Sequence, residues 1–240
     1  MKKFVDEMMA APNVLRIAVD RHITEELAQF TQSRIARWRL FSKSPPWSSD
    51  IRWYSAWSKR DFSRFRSIFE RLGVAPHVEP YLDLENQVRL YNAQLVVRSK
   101  CTRPNFHVDW IDTNNEAFTL MTPLTNNCGA FGMLYKKLDG SIGEYEYKLG
   151  EALIFGDDFI HSTKPGESDD PVVLLCFNFG TDKMKHWPTI ERTAARQCLL
   201  TCRPDGLLQR LPMQQQVRNV LGRILRRCRL WPVATGLSAY

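Results

Sequence analysis

Hydrophobic and polar positions change their period near residue 88. Upstream, apolar residues recur at helical spacing. Thr24, Glu25 and Glu26 open a segment in which Leu27, Phe30, Ile35 and Trp38 share one face. A second segment has Asp61 as its cap, an apolar stripe of Phe62, Phe65, Ile68, Phe69 and Leu72, and Gly73 as its stop. Between them "SKSPPWSSDIRWYSAW" reads as a long Pro/Ser/Trp-rich loop, which either faces a substrate or packs on the surface. Residues 1–87 are therefore expected to be a helical support region.

From Val88 to Phe179 the texture is short β-rich runs separated by turn signals. The runs are "VRLYNAQLVVRS", "FHVDW", "AFTLMTPL", "AFGMLYKKL", "GEYEYKL", "EALIFG", "FIHST" and "VVLLCFNF", with "LDGSIG" as a hairpin turn. Eight such strands predict an all-β core over 88–180, a double-stranded β-helix (jelly roll, cupin-like) with one end open for a ligand.

Charge changes the picture only at the C-terminus. The chain of 240 residues carries a formal net charge of +7. Between His186 and Tyr240 there are nine arginines against Glu191 and Asp205, so this stretch accounts for the whole surplus. Residues 181–240 are expected to be a basic helical extension. Within it Val217, Val220, Leu221, Ile224, Leu225 and Cys228 line one face of a helix and arginines surround them. Such a helix packs on the domain or on a second subunit, or lies on an anionic membrane surface. No nucleic-acid motif is present, so no nucleic-acid partner is expected. Six scattered cysteines without a CxxC read as reduced thiols, and no apolar run reaches the roughly 18 residues of a membrane span. A cytoplasmic protein is the expectation.

The candidate chemistry lies in "NFHVDW". On a strand, His107 and Asp109 project to the same face, so one imidazole and one carboxylate converge. "GEALIFGDDFIHSTKPG" supplies His161, 52 residues past Asp109, with four predicted strands between. Two histidines and one carboxylate on one face of a metal leave three positions open, the arrangement of non-haem Fe(II) oxygenases. Zn(II), Co(II) or Ni(II) would also suit these ligands.

These segments resemble the Fe(II)/2-oxoglutarate oxygenase superfamily over about residues 88–180. "QLVVRSKCTRPNFHVDW" is similar to the approach to the first two iron ligands in prolyl-hydroxylase-like and phytanoyl-type members. "TPLTNN" with "GEALIFGDDFIHSTKPGESDDPVVLLCFNF" is similar to aspartyl/asparaginyl hydroxylases and related lipid hydroxylases. The resemblance implies iron held by His107, Asp109 and His161, with 2-oxoglutarate and O₂ as co-substrates and hydroxylation of an unactivated C–H of a small-molecule metabolite as the outcome. One departure stands out. The family's Arg or Lys some ten to fifteen residues after the distal histidine, which pairs with the far carboxylate of 2-oxoglutarate, is absent from Pro171–Cys176. Strand phase offers substitutes: Asn92, Gln94, Val96 and Arg98 share a mostly polar face expected to look inward. Gln94, Arg98 and Lys164 are the candidate 2-oxoglutarate contacts, with Lys136 as a further competitor. A cupin-like iron oxidase with the same ligands and no 2-oxoglutarate is the alternative enzyme, and a binding protein acting through the Arg-rich tail is the alternative outside enzymes.

Overall fold

The computed structural model describes residues 4–32, 40–44 and 50–210. Ile35, Trp38, residues 45–49 of the Pro/Ser/Trp-rich segment and the Arg-rich stretch expected to form the C-terminal helix lie outside the described residues.

Five short strands and two main helices precede the β-rich region. The strands are β1 (Val5–Asp6), β2 (Ala11–Pro12), β3 (Val14–Ala18), β4 (Phe41–Lys43) and β5 (Ile51–Ser55). Helix α1 is Arg21–Gln32, α2 is Lys59–Arg71, and α3 is the short Ala75–Val78. The core strands are β6 (Arg89–Cys101), β7 (Ala117–Pro123), β8 (Met133–Lys136), β9 (Ile142–Tyr145), β10 (Glu151–Phe155), β11 (His161–Thr163) and β12 (Gly166–Gly180). Helix α4 (Trp187–Gln197) and strands β13 (Leu200–Cys202) and β14 (Leu208–Arg210) follow.

Seven strands form one antiparallel sheet in the order β3-β10-β7-β12-β6-β5-β4, and β11-β8-β9 form a second. The inner faces of the two sheets meet in one buried cluster. Leu153, Phe155, Val172 and Leu174 come from the large sheet, and Met133, Tyr135 and Tyr145 from the small one. This is the expected jelly roll, with the hairpin turn between β8 and β9 where "LDGSIG" placed it.

The other face of the large sheet is covered by helix. Ser58 and Asp61 form a capping box that starts α2, which buries Phe62, Phe65, Ile68 and Phe69. Phe69 meets Phe177 of β12 edge-on, ring centroids 5.5 Å apart. Ser58 is thus the cap, and Asp61 its partner one turn in. Gly73 follows the C-cap Leu72 with φ +64, the left-handed step that a glycine takes without strain.

Two expectations are corrected. Residues 1–87 are not only helical: β3 pairs with β10 and β5 pairs with β6, so this region closes both ends of the large sheet. The physical reason is that β6 and β10 would otherwise expose unpaired backbone groups along one edge, and the Val/Ile/Trp/Tyr-bearing segments "VLRIA" and "IRWYS" satisfy them. The second correction concerns "FHVDW", which forms no strand. After Cys101 the chain leaves the ladder through "TRPN", where Pro104 offers no N–H, and His107 regains a single antiparallel bridge, to His161.

Candidate metal centre

That single bridge brings the two histidines together. His107 N–H donates to the His161 carbonyl and His161 N–H donates back, both at 2.9 Å. Between Asp109 and His161 run β7, β8, β9 and β10, the four strands expected. One ligand atom each from His107, Asp109 and His161 lies within 4.8 Å of the other two. Asp109 Oδ1 is 3.6 Å from His107 Nε2 and 4.0 Å from His161 Nε2. The i, i+2 projection therefore survives without a regular strand.

The protons of this cluster are set by its neighbours. His107 Nδ1 lies 2.8 Å from the Asn105 carbonyl, and His161 Nδ1 lies 3.1 Å from that of Phe159. A carbonyl only accepts, so Nδ1 carries a proton on each ring, which leaves Nε2 as the nitrogen that can ligate. Burial pushes the His161 pKa down to about 4, against an opposing pull from Asp109 and with added repulsion from His107. His161 is thus neutral near pH 7. The Nε2 atoms of both rings and a carboxylate oxygen of Asp109 face one another, a donor set that suits a divalent cation. Exposure falls from 40% for the His107 side chain to 17% for Asp109 and 7% for His161, so the group opens on the His107 side.

On that side lies a cavity of about 470 Å³ lined by Asp50, Arg98, Arg103, Asn105, His107 and Ser162, among others. Its wall is polar rather than aromatic, and the described part of the Trp-rich segment supplies Asp50 and Ile51 to it. Arg98 is on the inward face, as strand phase predicted. Its Nε is buried with no hydrogen-bond partner, and burial lowers its pKa. Gln94, on the same face, is buried and engaged by Gln197 and by the Cys176 thiol. Lys164 does not join them: it is ion-paired with Glu144 on the outer sheet at 2.5 Å and is 42% exposed. Lys136 is exposed as well.

Several neighbours of the cluster escaped the sequence reading. Thr119 Oγ1 donates to Asp109 Oδ2 at 2.9 Å, and Trp110 Nε1 donates to Thr119 Oγ1 at 3.0 Å. Tyr147, fully buried, has its phenol held up above the usual range by desolvation and by the nearby Cys176 and Asp109, with Arg98 opposing. Asp157 ties the segment after Asp109 to the segment before His161: Thr113 Oγ1 donates to its Oδ1 (2.7 Å) and Asn115 N–H to its Oδ2 (3.2 Å). A polar residue inside an otherwise apolar run, such as Thr119 in "AFTLM", was the available signal. The five described cysteines are buried, and no helix among the described residues is long and apolar enough to cross a membrane.

No protein-family model and no curated relative matches the chain. Solved structures do. HygX from Streptomyces hygroscopicus, with nickel, 2-oxoglutarate and hygromycin B bound, superposes with a TM-score of 0.52 at 13% identity, over 70% of this chain and 83% of its own. The α-ketoglutarate-dependent epimerase SnoN of nogalamycin biosynthesis gives 0.52 at 11% identity, over 73% and 80%. A 2OG-Fe(II) oxygenase family oxidoreductase from Burkholderia pseudomallei gives 0.51 at 11% identity, over 70% and 84%. The fold of this chain is therefore the fold of the 2-oxoglutarate- and iron-dependent oxygenases.

Proposed function

We propose that the chain is a non-haem Fe(II)- and 2-oxoglutarate-dependent oxygenase acting on a small polar molecule. The observation that carries this reading is the set of three metal-type acceptors, His107 Nε2, His161 Nε2 and Asp109 Oδ1, facing one another at the open end of a jelly roll. His107, Asp109 and His161 would hold the iron. Iron with 2-oxoglutarate and O₂ supplies the oxidant for a C–H bond, and 2-oxoglutarate leaves as succinate and CO₂ while the substrate gains oxygen or loses hydrogen.

The chain's own residues have distinct tasks in this reading. The carbonyls of Asn105 and Phe159 fix both imidazole tautomers. Arg98, with a partnerless buried Nε, presents its guanidinium as the anion-binding group of the cavity and pairs with the far carboxylate of 2-oxoglutarate. Phe155 and Phe159 pack against His161 and keep water from that side. Hydroxylation is the outcome expected by default. One solved structure of the same fold is an α-ketoglutarate-dependent epimerase, so the fold is compatible with outcomes other than hydroxylation.

The test is direct. Purified protein is incubated with Fe(II), 2-oxoglutarate and O₂, and succinate released without added substrate is measured, since uncoupled turnover needs none. Succinate that depends on iron and disappears in His161→Ala supports the reading. Iron binding without 2-oxoglutarate consumption would transfer it to a cupin-like iron oxidase.

A further inference from the structure

Asp109 is held from two sides by residues outside the metal cluster. Its Oδ2 accepts from Thr119 Oγ1 at 2.9 Å, and its main-chain carbonyl accepts from Thr193 Oγ1 of α4 at 3.1 Å. Behind Thr119 the bonds continue. Trp110 Nε1 donates to the Thr119 oxygen at 3.0 Å, and the Asn178 side-chain carbonyl lies 3.0 Å from it on β12. The Asn178 amide bonds to Gln197, the last residue of α4, which Gln94 of β6 also reaches at 3.4 Å. Trp110, Thr119, Asn178 and Gln94 are all buried, so water does not compete for these groups.

From this arrangement we propose that Thr119 is the positioning residue for the metal carboxylate, with its hydroxyl oriented by the Trp110 N–H. The inference rests on the metal-centre reading above. A threonine hydroxyl has one proton, and two acceptors flank it here, Asp109 Oδ2 and Asn178 Oδ1. A carboxylate that serves a cation is ionised and attracts that proton more strongly than an amide carbonyl does. Trp110 has a single N–H, and spending it on the Thr119 oxygen fixes the direction in which the hydroxyl can point. The consequence is a division of labour within one carboxylate. Oδ2 is occupied by Thr119, whereas Oδ1 is the atom that faces both histidines. Asp109 would thereby offer a bound ion Oδ1 alone.

Supporting partners of metal ligands typically contribute about ten- to hundredfold in metal affinity. The experiment titrates wild-type protein, Thr119→Val and Thr119→Ser with Co(II) in the absence of 2-oxoglutarate, following the visible absorption of the bound ion, and records thermal midpoints alongside. Valine keeps the shape and removes the hydroxyl. Serine keeps the hydroxyl and removes a methyl. Co(II) dissociation constants raised by about tenfold or more in Thr119→Val, and restored to within about threefold of wild type in Thr119→Ser, are the expected result. A folded Thr119→Val that binds Co(II) as wild type does would overturn the proposal, because a merely structural threonine lowers the thermal midpoint and leaves affinity unchanged. Should Thr119→Val not fold, Trp110→Phe decides: weaker Co(II) binding supports the orienting bond to Thr119 and unchanged binding overturns it. A wild type that binds no Co(II) removes the metal-centre reading itself, an outcome distinct from a wild type that binds and a Thr119→Val that binds equally.

Discussion

Arg98 and Val172 stand directly opposite one another in the β6–β12 pairing. Directly opposed residues of antiparallel strands point to the same face. Val172 is eleven residues after His161, inside the window where the family's basic residue for 2-oxoglutarate is expected and this chain has none. The guanidinium of Arg98 therefore reaches the same interior space from the neighbouring strand. One rung across a sheet is roughly 4.8 Å, well within what an arginine side chain spans. Arg98→Met should raise the 2-oxoglutarate concentration for half-maximal turnover by more than about tenfold, since a charge-assisted pair contributes about 1.5–3 kcal/mol. Moving the group back, in the double variant Arg98→Val with Val172→Arg, should recover part of that loss. Lys164→Met should leave it unchanged because Lys164 is spent on Glu144 outside the cavity. A 2-oxoglutarate dependence insensitive to Arg98 would remove the assignment.

The three acceptor atoms predict a common phenotype. His107→Ala, Asp109→Ala and His161→Ala should each abolish succinate production and weaken Co(II) or Fe(II) binding by orders of magnitude, with circular dichroism close to wild type. His107→Ala should be the mildest for stability, because its side chain is 40% exposed and leaves no sealed cavity. Calorimetric titration of each variant measures the loss, and wild-type affinity in any one of them would exclude that residue from the site.

What could be read from the sequence was whatever burial wrote into it. Strands β7, β10 and β12 are apolar because both of their faces are covered, one by α2 and one by the small sheet, and they stood out as runs. His107 and Asp109 were picked out by their i, i+2 spacing and His161 by its place on a later β-run, and the fold brings the three together. Strands β3 and β5 were not, since what fixes them is the edge of another strand far away in sequence, and five residues carry too little pattern to announce that. His107 sits on a one-rung bridge that no local propensity encodes. Thr119 and Asn178 were overlooked for a related reason: each is a single polar residue in an apolar run, and its importance lies in partners 59 residues apart.

Asp157 gives a prediction about the frame rather than the ligands. It is buried, and three donors from two distant segments converge on it: Thr113 Oγ1, Asn115 N–H and, at its main-chain carbonyl, Asn13 Nδ2 at 2.6 Å. Asp157→Ala would leave the Thr113 hydroxyl and the Asn115 N–H buried without acceptors, at about 1–3 kcal/mol each. Urea denaturation should show a loss of roughly 2–6 kcal/mol, with weaker metal binding because the segments carrying Asp109 and His161 lose this tie. A variant as stable as wild type would show that these segments are held by other contacts.

The last prediction concerns the metal-free protein below neutral pH. His161 is enclosed by Phe155 and Phe159, with ring centroids 4.7 and 5.4 Å away, and burial is the main cause that holds its pKa at about 4. In the unfolded chain the same imidazole titrates near 6.5. Between these two values the unfolded chain takes up a proton that the folded chain refuses. Stability from this group is therefore complete above about pH 6.5 and is lost progressively as the pH falls toward 4. The difference corresponds to at most about 3 kcal/mol. In EDTA, the urea midpoint of the wild type should drop between pH 7 and pH 4.5 more steeply than that of His161→Leu, which has no proton to gain at this position. Added Co(II) should steepen the wild-type profile further, because protons and the ion compete for the same Nε2 lone pair. Parallel pH profiles for the two proteins in EDTA would mean that His161 titrates normally and is not the buried neutral ligand that its surroundings imply.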